Sequence, residues 1–107
     1  MSETLDKIRD LVSRGEVRLS VHGYEELAAD GISARDTVRG ITDAELLEDY
    51  PDYSKGPCVL VLQRDSNAQP IHVVWGIPAG ESSPAVVVTG YRPDPELWDQ
   101  TFRRRLK

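Results

Sequence analysis

Cys58-Val59-Leu60-Val61-Leu62-Gln63, Ile71-His72-Val73-Val74-Trp75-Gly76-Ile77 and Ala85-Val86-Val87-Val88-Thr89-Gly90-Tyr91 are three apolar runs rich in Val, Ile and Leu, set apart by polar or Gly/Pro-containing loops. β-Branched and aromatic side chains suit a pleated, half-buried surface, and connections of about seven residues join neighbouring antiparallel strands. The runs therefore predict a β-meander. Both of its faces are apolar, because Val59 and Val61 oppose Leu60 and Leu62, and Val86 and Val88 oppose Val87. Helices are expected over one face, and the other is expected to be partly covered or to form a concave site. Symmetric pairing about the loops sets His72 beside Leu62 and Gly90, and Val73 beside Thr89.

Upstream the period changes. Leu5, Ile8, Leu11 and Val12 recur at helical spacing within 4–14, and Gly15 stands at the stop position. Residues 16–20 alternate charged and apolar side chains, which suits a short edge strand, and Ser20 is placed to cap a second helix over 21–29 ended by Asp30-Gly31. Ser33 caps a third helix that carries Thr37, Val38 and Ile41 on its apolar side. The stretch 42–53 fits a short helix or an edge strand equally. Downstream, Asp94-Pro95 opens a C-terminal helix over 93–105, with Leu97, Trp98 and Phe102 for packing. The expected fold class is α+β: N-terminal helices packed on a three- or four-stranded antiparallel sheet, with a C-terminal helix. A chain of 107 residues has room for one core, so a single domain over 1–107 is expected.

Composition bounds the function. The lone Cys58 has no partner for an internal bridge and lies in an apolar run, which predicts a buried thiol acting as a small hydrophobe. No stretch approaches the roughly 20 apolar residues needed to span a bilayer, and the N-terminus lacks the order of a signal peptide, so a cytoplasmic location without membrane contact is expected. The 18 acidic and 13 basic residues give a net charge of −5, a field that repels nucleic acid. Charge is uneven, with Glu45, Glu48, Asp49 and Asp52 mid-chain and Arg103, Arg104, Arg105 and Lys107 at the end. Gly-rich phosphate loops and nucleophile elbows are absent, and no cofactor is expected.

Histidine is the side chain whose ordinary pKa lies nearest neutrality, so the two histidines, His22 and His72, are the first acid/base candidates. Each also has a structural explanation: His22 as a helix-start residue bonded to Glu25 or Glu26, His72 as a satisfied strand residue. With Tyr91, Arg92 and the terminal arginines they assemble the groups for metal-independent phosphodiester cleavage: a base, an acid, and cations for the phosphorane. His22 and Glu26 share a helix face, but the chain offers no second histidine at ligand spacing and no Cys pair, so no metal is expected. Trp75 and Trp98 read as core residues. Tyr50, Tyr53 and Tyr91 suit either base stacking or a roof over the core.

Arg18-Leu19-Ser20-Val21-His22-Gly23-Tyr24-Glu25-Glu26-Leu27, Asp30-Gly31-Ile32-Ser33, Pro70-Ile71-His72-Val73-Val74 and Val88-Thr89-Gly90-Tyr91-Arg92-Pro93-Asp94, through Trp98 to the arginines, resemble the bacterial domain of unknown function 4258 family. The resemblance spans about 18–105, leaving 1–17 as an N-terminal helical extension. Such proteins look like distant relatives of RelE, BrnT and barnase-like ribonuclease toxins, some encoded beside a presumed zinc-binding antitoxin. The resemblance implies a toxin-like endoribonuclease, active or degenerate, with RNA and an antitoxin protein as partners. His22, His72, Thr89, Tyr91, Trp98 and Arg105 match the family pattern. From these, His22, His72 and Tyr91 are the catalytic candidates, and Arg92, Thr89 and Arg105 the substrate-binding ones. This chain has Glu26 and Asp30 where many members carry an arginine. The alternative is a non-catalytic protein-interaction module that uses an edge strand or the acidic 45–52 segment.

Overall fold

The computed structural model describes residues 2–106. Helix α1 (Glu3–Ser13) starts where the Ser2 hydroxyl accepts from the Leu5 N–H, and buries Leu5, Ile8 and Leu11. Strand β1 (Val17–Leu19) leads into α2 (Val21–Ala29), capped by Ser20, and α3 (Ala34–Gly40), capped by Ser33, runs into a single 3-10 turn at Ile41–Asp43. The remaining strands are β2 (Glu45–Tyr50), β3 (Cys58–Arg64), β4 (Pro70–Gly76) and β5 (Ala85–Tyr91). They form one five-stranded sheet in the order β1-β5-β4-β3-β2.

The α+β class and the meander hold, while two expectations are corrected. The sheet is mixed, because β1 pairs parallel with β5 through Val17↔Ala85 and Leu19↔Val87, and β2 adds a fifth strand. A pairing between segments so far apart in the chain leaves no local signal. The C-terminal helix is absent: after one turn, in which the Trp98 N–H donates to the Asp94 carbonyl, the Asp99 carboxylate collects the Thr101 and Arg103 N–H groups. Short acidic side chains that bind nearby backbone in this way compete with the helix. Phe102 takes φ 60°, and the chain doubles back so that Trp98 bridges Arg105.

All three helices contribute to one core on one face of the sheet, with Leu5, Ile8, Leu11, Leu27 and Ile32 over Val59, Val61, Ile71, Val73, Trp75 and Val87. Gln63 ties the layers together, donating from Nε2 to the Thr37 carbonyl at 2.8 Å and accepting from the Trp75 indole N–H at 2.8 Å. Helix α2 sits close to β5 because Gly23 has no side chain: a Cβ there would lie 2.5 Å from the Val87 carbonyl oxygen.

The register between β4 and β5 shifts by one residue. Trp75 faces Val87 and Gly76 faces Val86, as symmetric pairing requires, but beyond a bulge at Val88 the partners are Val74↔Thr89, Val73↔Gly90 and His72↔Tyr91. His72 keeps Leu62 on its other side and exchanges the expected Gly90 for Tyr91. The bulge therefore puts Tyr91 on the His72 face. At the same point the Ser20 hydroxyl reaches the carbonyls of both Val87 and Val88.

Candidate functional site

Strand alternation sends the remaining side chains to the face away from the helices, and the paired registers arrange them in rows across the strands. The first row runs Arg18, Val86, Gly76, Cys58, Tyr50, from one sheet edge to the other. The second runs Thr89, Val74, Leu60, Glu48, and the third Tyr91, His72, Leu62, Glu45. The first row is open and the third is covered.

The cover is the stretch after β5. Trp98 lies edge-on to His72 with ring centroids 4.3 Å apart, and the Arg105 guanidinium rests 4.8 Å above the indole. Arg105 also pairs with Glu48 at 3.0 Å, and Arg103 with Glu45 at 2.6 Å. The acidic strand β2 thus holds the basic C-terminal stretch, with two members of each charge cluster noted in the sequence paired to each other.

His72 is fully buried beneath this cover. Its Nε2 lies 2.7 Å from the Phe102 carbonyl oxygen. A carbonyl can only accept, so Nε2 carries the proton and Nδ1 is left as an acceptor, which the Tyr91 hydroxyl meets at 3.4 Å. Burial holds the His72 pKa below the ordinary imidazole value, against the opposing pull of the Phe102 carbonyl; Arg105 lowers it further and Glu48 raises it. Burial also pushes the Tyr91 hydroxyl upward. The pair is neutral, with both ring nitrogens engaged.

The structure thus brings together His72, Tyr91, Trp98 and Arg105, with Thr89 one row away on the same face. It does not bring His22 to them. His22 stands exposed on α2, whose Leu27 packs into the core on the helical face, and its Nε2 is 3.5 Å from Glu26. Arg92 pairs with Asp65 at 2.9 Å and lines a cavity of about 240 Å³ with Gln69, Pro70, Pro93 and Phe102. Among the described residues no group of three or more His, Cys, Asp or Glu could hold a metal ion.

The concave site that the sequence offered as one alternative for this face is present, but none of the residues singled out as catalytic or substrate-binding lines it. A cavity of about 590 Å³ opens over the first row, floored by Gly76, Cys58, Val74 and Val86, with Val88, Ile77 and Pro78 beside them. Tyr50, Tyr53, Arg18 and Lys55 form its rim. Cys58, expected in the core, is half-buried on this floor, where burial and then Asp49 push its thiol pKa up. The apolar second face was legible in the alternation of Val86 and Val88 against Val87; which residues would line the opening was not, because that depends on strand order and on the missing C-terminal helix.

Fold and site define an α+β architecture with helices on one face of a mixed sheet and, on the other, a covered polar end beside an open apolar trough. The chain belongs to the family described as Domain of unknown function (DUF4258), whose profile matches residues 19–92. The covering stretch from Pro93 onward lies beyond the matched residues. Searches of curated proteins and of solved structures return no match. Among the described residues no helix is long and apolar enough to cross a membrane.

Proposed function

We propose that this protein is a non-catalytic protein-interaction module whose partner lies across the helix-free face of the sheet. The observation that carries the reading is the open trough of about 590 Å³, floored by apolar side chains that a monomer ordinarily covers. Around it Tyr53 is 53 %, Tyr50 47 % and Val88 39 % exposed, and large aromatic anchors of this kind dominate binding energy at interfaces. The acidic 45–52 segment supports the reading less well, since Glu45 and Glu48 already hold Arg103 and Arg105.

The test is capture from an extract of cells that express the protein, with wild type and Val88→Glu as baits. A partner retained by wild type and lost with Val88→Glu supports the module; equal capture by both removes it. Val88 is exposed, so the variant is expected to fold normally, which circular dichroism checks.

A second reading, the toxin-like, metal-independent endoribonuclease with an antitoxin partner, is favoured by one observation: a tyrosine hydroxyl, an imidazole and a guanidinium converge at Tyr91, His72 and Arg105. Against it stand the net charge of −5, the engaged imidazole and the absence of His22 from the cluster. RNA cleavage by wild type that disappears in Tyr91→Phe would install this reading in place of the module.

A further inference from the structure

The trough has ends as well as a floor. Its first row crosses every strand of the sheet, from Arg18 on β1 to Tyr50 on β2. Four inter-strand spacings of roughly 4.8 Å make that about 19 Å, the length of about six extended residues at roughly 3.3 Å each. The middle of the row is low: Gly76 contributes no side chain and Cys58 a small one, while the Tyr50 ring stands at one end.

Cations mark the rim. Arg18 is exposed beside Val86, and Lys55 is exposed on the loop that joins β2 to β3, whose Lys55 carbonyl accepts from the Ala79 N–H. Among the described residues neither side chain forms an ion pair, as is also true of Arg35, Arg39, Arg64 and Arg104, but Arg18 and Lys55 are the two cations that line the trough. In a chain of net charge −5, a lining that holds two cations and no carboxylate favours an anionic ligand, even with Asp49 close enough to act on Cys58.

We infer that the trough takes an extended peptide segment of about six residues, apolar in the middle and carboxylate-bearing at both ends. The ends meet Arg18 and Lys55, and bulky side chains between them fill the floor over Gly76 and Cys58. The inference rests on the interaction-module reading and adds to it the chemistry of the partner's anchor.

The probe is the fluorescein-labelled peptide Asp-Leu-Ala-Phe-Leu-Glu, with Lys-Leu-Ala-Phe-Leu-Lys as its charge-reversed counterpart, both terminally blocked. Fluorescence anisotropy with the full chain is expected to show wild type preferring the acidic peptide at least tenfold. The Arg18→Glu/Lys55→Glu double variant, altered only at exposed positions, is expected to reverse that preference. Alkylation of Cys58, the single cysteine and part of the floor, is expected to slow at least threefold when the acidic peptide is bound. Gly76→Ala, whose new Cβ would meet its neighbours at 3.4 Å, fills the floor without strain and should weaken the acidic peptide several-fold.

Equal binding of both peptides by wild type, or no reversal in the double variant, overturns the inference. So does protection of Cys58 by a six-nucleotide oligouridylate or by dodecanoate when the peptide gives none. If the acidic peptide fails while Val88→Glu still abolishes partner capture, the anchor chemistry is wrong and the module stands. If capture is also indifferent to Val88→Glu, both fall.

Discussion

His72 couples acidity to the stability of the fold. Its imidazole is buried, neutral and bonded through Nε2–H to the Phe102 carbonyl, with Tyr91, Trp98, Arg105 and Glu48 as the groups around it. Burial lowers its folded-state pKa below the ordinary 6.5, so in acid the unfolded chain binds a proton that the folded chain refuses. Stability is therefore full above about pH 6.5 and is lost as pH falls from there toward the folded pKa. One proton corresponds to a limiting slope of about 1.4 kcal/mol per pH unit, so the loss between pH 7.5 and 5.5 is at most about 1.4 kcal/mol. Glu45, Glu48, Asp65 and Asp99 have lowered pKa values and ordinary values of 4.5 or 3.8, so what they contribute is lost only in stronger acid. The assay is urea unfolding followed by tryptophan fluorescence at pH 7.5, 6.5 and 5.5, in a His22→Gln background so that His72 is the remaining imidazole. His72→Gln keeps an N–H donor for the Phe102 carbonyl and cannot titrate. The difference between the two proteins, which cancels every other titrating group, should narrow as pH falls. A constant difference across that range would refute the assignment of a buried, neutral His72.

Two further changes probe the core layer. Gln63→Leu strips partners from the buried Trp75 N–H and the Thr37 carbonyl at once, and each orphaned group costs about 1–3 kcal/mol, so a loss of about 2–6 kcal/mol is expected in urea unfolding; a cost under about 0.5 kcal/mol would refute the bridging role. Gly23→Ala should destabilise by about 1–3 kcal/mol despite alanine's better helix propensity, because its Cβ lands 2.5 Å from the Val87 carbonyl oxygen, whereas Gly76→Ala, with neighbours at 3.4 Å, should leave the midpoint unchanged or raised.

What the sequence disclosed follows the range of the interactions involved. Ser20 and Ser33 cap helices through bonds to N–H groups three residues on, and Val59 to Leu62 alternate within one strand, so these helix starts and the meander were legible locally. The parallel pairing of β1 with β5 and the bulge at Val88 depend on contacts across some sixty-seven residues, such as Ser20 with Val87, and neither leaves a periodic trace. The C-terminal stretch misled because Asp94-Pro95 does begin a helical turn; what stops it is Asp99 gathering backbone N–H groups and Trp98 docking on His72.

The same distinction explains the mixed fate of the site residues. The resemblance placed His72, Tyr91, Trp98 and Arg105 in one set, and they do share a face, but through a one-residue register shift that symmetric pairing would have missed. His22 belongs to the set only in sequence order, since α2 lies over the opposite face. A cluster whose imidazole is capped by a backbone carbonyl and whose arginines are matched to Glu45 and Glu48 is a fastening for the C-terminal stretch. Arg18 and Lys55, which form no ion pair among the described residues, line the trough instead. If the interaction-module proposal holds, the chemistry of recognition on this face lies one to two rows away from the histidine that first draws the eye.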